Sequence, residues 1–179
     1  MPKSESAFAS LDLAAEPQLR LTELIAALMR NAVDFVVIGG VAAQLNQLPM
    51  PATVDLDITP SRSPENLARL AKVFDEIDAA LATAGEYGTW FPWHPISNWA
   101  QYDMIHLVTK FGLLDLVFAP EGSEDGFNDL IGESQKLQIG GQMAQVISVE
   151  TWERLKLATK RDKDIYHLRL LMQYREQRE

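Results

Sequence analysis

The chain has 179 residues, 47% of them hydrophobic and 23% charged, with a formal net charge of −9 and no cysteine. That size fits one domain with a substantial core, the composition is that of a folded rather than a disordered chain, and disulfides and thiolate metal sites are excluded. No apolar run approaches the roughly 20 residues a bilayer span needs, and the opening "MPKSESAFASLDLAAEP" lacks the basic-then-apolar order of a secretory signal, so a cytoplasmic setting is expected.

Residues 1–16 read as a tail and 17–179 as one domain. "PQLRLTELIAALMRN" places Leu21, Leu24, Ile25, Leu28 and Met29 at helical spacing, with Pro17 suited to a first turn. "DFVVIGG" reads as a short buried strand and "VAAQLNQ" as a short helix, broken by Pro49 and Pro51. "TVDLDIT" alternates polar and apolar residues, predicting a strand whose Val54, Leu56 and Ile58 face the core. The spacing over 63–85 predicts a long helix capped by Ser63, opened by Pro64 and ended by Gly85.

Residues 86–103 read as an aromatic loop carrying Trp90, Phe91, Trp93 and Trp99, which could stack on unpaired bases or fill a core or interface. Two hairpins follow, turning at Phe111-Gly112 and at Gly140-Gly141, with a short helix or turn at "DGFNDLIGES" between them. One long helix or two close the chain over 149–176, with Leu155, Ala158, Ile165, Leu168 and Leu171 at apolar positions. Residues 151–179 carry eight of the 16 basic residues, whereas residues 1–150 set eight basic against twenty acidic side chains. A basic stripe of this kind is either a solvated helix face or a local phosphate contact. The expected class is α/β (α+β), with no internal repeat or linker.

Three features carry chemistry. Asp55 and Asp57 lie two apart on a strand and so share a face; their repulsion is relieved by a cation or hydrogen bonds, or by solvent at a sheet edge. Gly39 and Gly40 follow an apolar strand, as in a tight turn or a place where phosphate approaches the backbone; no Gly-Lys-Ser/Thr follows, so this is not a Walker loop. Asp115 interrupts the apolar run "GLLDLVF", a costly place for a lone acid unless it is paired or binds a cation. The three acids together would suit two-metal phosphoryl chemistry. His94 and His106 show no spacing that implies a metal site.

"VIGGVAAQL…TVDLDI…LLDLVF" resembles the minimal nucleotidyltransferases of the DNA polymerase β superfamily, and the tail "ISVETWERLKLATKRDKDIYHLRLL" resembles the closing motif of their AbiEii/MenT-type toxin branch. The resemblance implies a single domain with a mixed central sheet flanked by helices. It implies Asp55, Asp57 and Asp115 as ligands of two Mg²⁺ ions, with Asp115 also the base. Gly39 and Gly40 would hold the triphosphate of an NTP, Lys156 with Arg161 or Lys163 would neutralise phosphate, and Asp164 would orient that cluster. It further implies transfer of an NMP to the 3′ end of tRNA and a cognate antitoxin as partner. Set against this are a non-catalytic relative that binds a protein partner, and an enzyme modifying a protein or small molecule. One departure is visible: Pro51 stands where relatives often carry an arginine in "G-x-x-R-x-T-x-D".

Overall fold

The computed structural model describes residues 18–83 and 86–177. The tail, Pro17 and Gly85, to which the sequence assigns roles, lie outside the described residues. The first helix, α1 (Leu21–Arg30), buries Leu24, Ile25, Ala27 and Leu28. It leads into β1 (Phe35–Val37), α2 (Gly39–Leu45) and β2 (Asp55–Pro60). Next is α3 (Pro64–Glu76), whose start is as the sequence reads: the Ser63 hydroxyl accepts from the Asn66 N–H, and Pro64 occupies the first turn.

The helix stops well before Gly85. Asp78 takes a left-handed φ of 54°, which an aspartate tolerates better than most residues, and the reversed chain enters β3 (Ala80–Thr83). Sheet pairing explains the early stop, because Ala80 and Leu81 lie opposite Val108 and Leu107. The region read as a loop contains a short strand, β4 (Glu86–Thr89), and a single 3-10 turn at Ile96–Asn98. A four-residue strand is too short for periodicity to register.

The two predicted hairpins are β5 (Met104–Thr109) with β6 (Gly112–Val117), and β7 (Ser134–Ile139) with β8 (Gln142–Ile147); α4 (Phe127–Gly132) lies between them. The tail is two helices, α5 (Val149–Thr159) and α6 (Asp162–Glu176). Lys160, at φ 52°, ends the first of them. Of the apolar tail positions, Leu155 and Leu171 are buried, but Ile165 is 40% exposed because α6 packs mainly on α5 and turns that flank outward.

All eight described strands form one mixed sheet in the order β4-β3-β5-β6-β2-β1-β8-β7. Its parallel pairs, β2 with β6 and β1 with β8, sit at the centre. Leu56, Ile58, Leu114 and Leu116 from β2 and β6 are wholly buried, each contributing about 1.5–3 kcal/mol relative to exposure. Val54 does not join them; it is 46% exposed, because the proline-bearing approach enters the sheet only at Asp55, opposite Leu113. In the aromatic loop, Trp93 and Trp99 are core residues stacked around Phe74 at 4.7 and 5.3 Å, with their indole N–H groups on Ala79 O and Trp93 O. Burial leaves neither face free for a base; Trp90 is the exposed member.

Candidate active site

The sheet brings the three aspartates together. Asp57 and Asp115 are direct register partners on β2 and β6, and neighbouring strands lie about 4.8 Å apart. Asp55 stands two residues away on the same face of β2. One carboxylate oxygen from each of Asp55, Asp57 and Asp115 lies within 4.8 Å of the others. Burial, followed by the charges of Asp55 and Asp115, pushes the Asp57 carboxyl up to about 6, against the pull of Lys156 and the Gly40 N–H. Burial likewise raises Asp115, opposed by a hydrogen bond from His106.

These groups fit a hard divalent cation. Three oxygen donors crowd one point, burial and then their mutual repulsion raise the proton affinity of two of them, and no lysine or arginine pairs directly with any of the three among the described residues. The contacts that do reach them come from neutral donors and one imidazole. Thr53 Oγ1 donates to Asp55, Gly40 N–H bonds Asp57, and His106 Nδ1 lies 2.9 Å from Asp115 Oδ2.

The glycine pair is explained first by packing. Gly39 has φ 65°, and a Cβ there would fall 1.9 Å from Asp57 Oδ2; at Gly40 it would meet Thr53 Cβ at 2.7 Å. The start of α2 therefore presses directly on the D-x-D strand, and only glycine permits it. Gly39→Ala is expected to displace the Asp57 carboxylate, weakening Mn²⁺ affinity at least about tenfold with a stability loss of about 1–3 kcal/mol. Mn²⁺ titration calorimetry and urea unfolding check the two effects separately.

The basic cluster is built around a buried acid. Asp164, in the first turn of α6, is fully buried and accepts from Lys156 Nζ at 2.6 Å, Arg161 Nε at 2.7 Å and the Thr159 hydroxyl. Burial alone would raise its carboxyl, but hydrogen bonds from Lys156, Thr159 and Arg161 hold it at about 2. The side chain of Lys156 is only 15% exposed, against 66% for Arg161. The tail is therefore not a simple solvated face at this point, and Lys156 is more enclosed than an unpaired surface lysine would be.

Two cavities meet at the carboxylates and share Asp57, Asp115, Trp152, Lys156 and Arg161. One, of about 230 Å³, is polar; Gly40, Pro51, Thr53, Asp55, Lys163 and His167 reach it. The other, of about 260 Å³, is bounded by Gly39, Met104, His106, Val117, Glu121 and Leu155. The structure thus gathers Gly39, Gly40, Asp55, Asp57, Asp115, Lys156, Arg161 and Lys163 around one space, with Asp164 behind them. Pro51, the departure in the loop motif, faces the same cavity as Lys163.

Sequence reasoning missed Thr53, Trp152, Thr159 and His106. Thr159 and Trp152, whose indole N–H bonds Gly39 O, carry no local signal. His106 was within reach: a hairpin turning at Phe111-Gly112 pairs Thr109 with Gly112 and, counted back, His106 with Asp115.

No protein-family model matches the chain, and no curated protein sequence does. Solved structures do. The protein TM1012 of Thermotoga maritima, named as a candidate nucleotidyltransferase, aligns at 16% identity over 88% of this chain and 96% of its own, with a TM-score of 0.52. The antibiotic-resistance factor ANT(2'')-Ia aligns at 16% identity over 85% of this chain and 80% of its own, with a TM-score of 0.51. With its eight-stranded mixed sheet and six described helices, the chain has the nucleotidyltransferase fold.

Proposed function

We propose that the protein is a Mg²⁺-dependent nucleotidyltransferase that moves an NMP from an NTP to a hydroxyl acceptor. The observation that carries this is the convergence of Asp55, Asp57 and Asp115 beside a lysine and an arginine held by Asp164. Asp55, Asp57 and Asp115 would hold the cations, whose chemistry is to neutralise charge on the phosphates and on the attacking oxygen. Gly39, Gly40 and Lys163 border the space for the triphosphate, and Lys156 and Arg161 offer it positive charge.

Asp115 takes the proton as the acceptor O–H bond breaks and the new oxygen–phosphorus bond forms; pyrophosphate leaves with the electron pair of the broken phosphoanhydride. Such a reaction asks the protein for positioning and charge compensation, not a covalent intermediate. A purely partner-binding role fits less well, since three crowded carboxylates cost stability and serve a binding scaffold nothing.

Transfer to the 3′ end of tRNA, as the toxin of a toxin–antitoxin pair, is the finer proposal and rests on the tail motif. The cavity beside Asp115 favours a second reading, a small-molecule acceptor. Incubation with each α-labelled NTP, Mg²⁺ and either total tRNA or amino-bearing polyols separates the two. Label is expected on one acceptor, lost with EDTA and reduced at least about 1,000-fold in Asp55→Ala. Absence of transfer to any hydroxyl in a folded protein sinks the reading. Among the described residues no helix is long and apolar enough to cross a membrane.

A further inference from the structure

We propose that His167 is a phosphate-binding residue, whose Nε2–H donates to the triphosphate of the NTP in the polar cavity. This rests on the nucleotidyl-transfer reading and adds to it a contact on the nucleotide side. Among the described residues, two buried side-chain polar atoms lack a partner, Thr59 Oγ1 and His167 Nδ1. Of these two residues only His167 lines the cavity, where it stands with Gly40, Thr53, Lys156, Arg161 and Lys163. It is 9% exposed and firmly placed. His167 follows the buried Asp164 by three residues and so shares its face of α6. Its ring lies 6.5 Å from that of Trp152, whose indole N–H bonds Gly39 O.

The ring's chemistry follows from its surroundings. A neutral imidazole has one N–H and one bare nitrogen. Nδ1 is sealed from solvent, so a proton there would have no acceptor; on Nε2, which no described residue engages, it is left for water or a ligand. Burial, and then the charges of Lys156 and Lys163, hold the imidazole below its ordinary value against the pull of Asp164, so the uncharged form is the one present at neutral pH. Lys156 is bound to Asp164, whereas Lys163 is exposed and has no ion-pair partner among the described residues. Arg161 meets Asp164 through Nε. These cations draw an anion into the space that the imidazole borders and repel a metal ion from it. The group that Nε2–H meets is therefore a phosphate oxygen, and a hydrogen bond to a charged acceptor is among the stronger kinds.

The test uses the full-length chain with Mg²⁺, the α,β-methylene analogues of ATP, CTP, GTP and UTP, and inorganic tripolyphosphate, with affinities from equilibrium dialysis. His167→Leu and His167→Asn are each expected to weaken the best-bound analogue and tripolyphosphate at least about tenfold, as loss of a hydrogen bond to a charged group would. His167→Gln, whose amide nitrogen reaches the Nε2 position, is expected to recover most of that loss. A packing role gives another order, with leucine tolerated and glutamine no better than asparagine, and overturns the proposal. Histidine ¹⁵N NMR of the wild type, with His167 assigned by its Overhauser contacts to Trp152, gives an answer that no variant's folding affects. Nε2 is expected to carry the proton in the free protein and to shift with tripolyphosphate, while Nδ1 stays bare. A bare Nε2, or a shift as large with Mg²⁺ alone, overturns the proposal. So does a loss in the variants seen with nucleotides and absent with tripolyphosphate, which would place His167 on base or sugar. No binding of any analogue or of tripolyphosphate by the folded wild type sinks the transferase reading itself, and the His167 contact falls with it.

Discussion

Asp57→Asn is expected to abolish nucleotidyl transfer while making the metal-free protein more stable at pH 7. In the folded chain Asp57 titrates at about 6 rather than the ordinary 3.8, chiefly because burial and then the neighbouring Asp55 and Asp115 disfavour its charge. Between those two values the folded state binds more protons than the unfolded state, so stability falls as pH rises through the window and levels off above it. A shift of that size corresponds to about 3 kcal/mol. Asparagine keeps an oxygen for the Gly40 N–H and removes the charge.

Urea unfolding between pH 4 and 8 checks this. The wild type should lose stability as pH rises toward 6.5, whereas the variant should show that loss much reduced. Added Mn²⁺ or Mg²⁺ should restore the wild type and leave the variant largely unaffected, since a cation that binds only the folded state stabilises it by mass action. A wild-type profile that is flat from pH 4 to 7 would mean that the Asp57 carboxylate is not electrostatically crowded.

Asp164→Ala has the opposite sign. It leaves Lys156, whose side chain is 15% exposed, without its counter-ion, and it removes the acceptor shared by Arg161 and Thr159. Removing one partner of a buried pair costs about 3–5 kcal/mol. The wild-type contribution is present above the unfolded value near 3.8 and is lost as pH falls toward about 2. Lys156→Met combined with Asp164→Leu should recover much of the stability, because the uncompensated charge is gone. NTP affinity should fall in both the single and the double variant, and recovery of binding with the double change would remove Lys156 from any phosphate role.

Much of the central fold was legible because strong local chemistry marked it. Ser63 and Pro64 set the start of α3, the two glycine-bearing turns set the hairpins, and the D-x-D alternation fixed which way Asp55 and Asp57 point. What failed was decided by pairing with distant residues. The helix read through to Gly85 stops at Glu76 because Ala80 and Leu81 are claimed by β5. Val54 obeys the alternation but lies outside the sheet. The candidate site was legible as residue types in order, from Asp55 to Asp164. Its contacts were not: that Asp164 is wholly buried, and that Gly39 must be glycine to clear Asp57, follow from how α6 and α2 dock.

The parallel pairing of β2 with β6 has a consequence for biogenesis. Asp57 and Asp115 become neighbours only after α3, the three strands β3, β4 and β5 and the aromatic loop that lie between them in the chain have been made, and Lys156 arrives from still later in the chain. A nascent polypeptide therefore carries at most the carboxylate half of this centre until α5 and α6 have emerged from the ribosome. The charge that answers phosphate arrives last, which makes turnover itself a readout of completed folding.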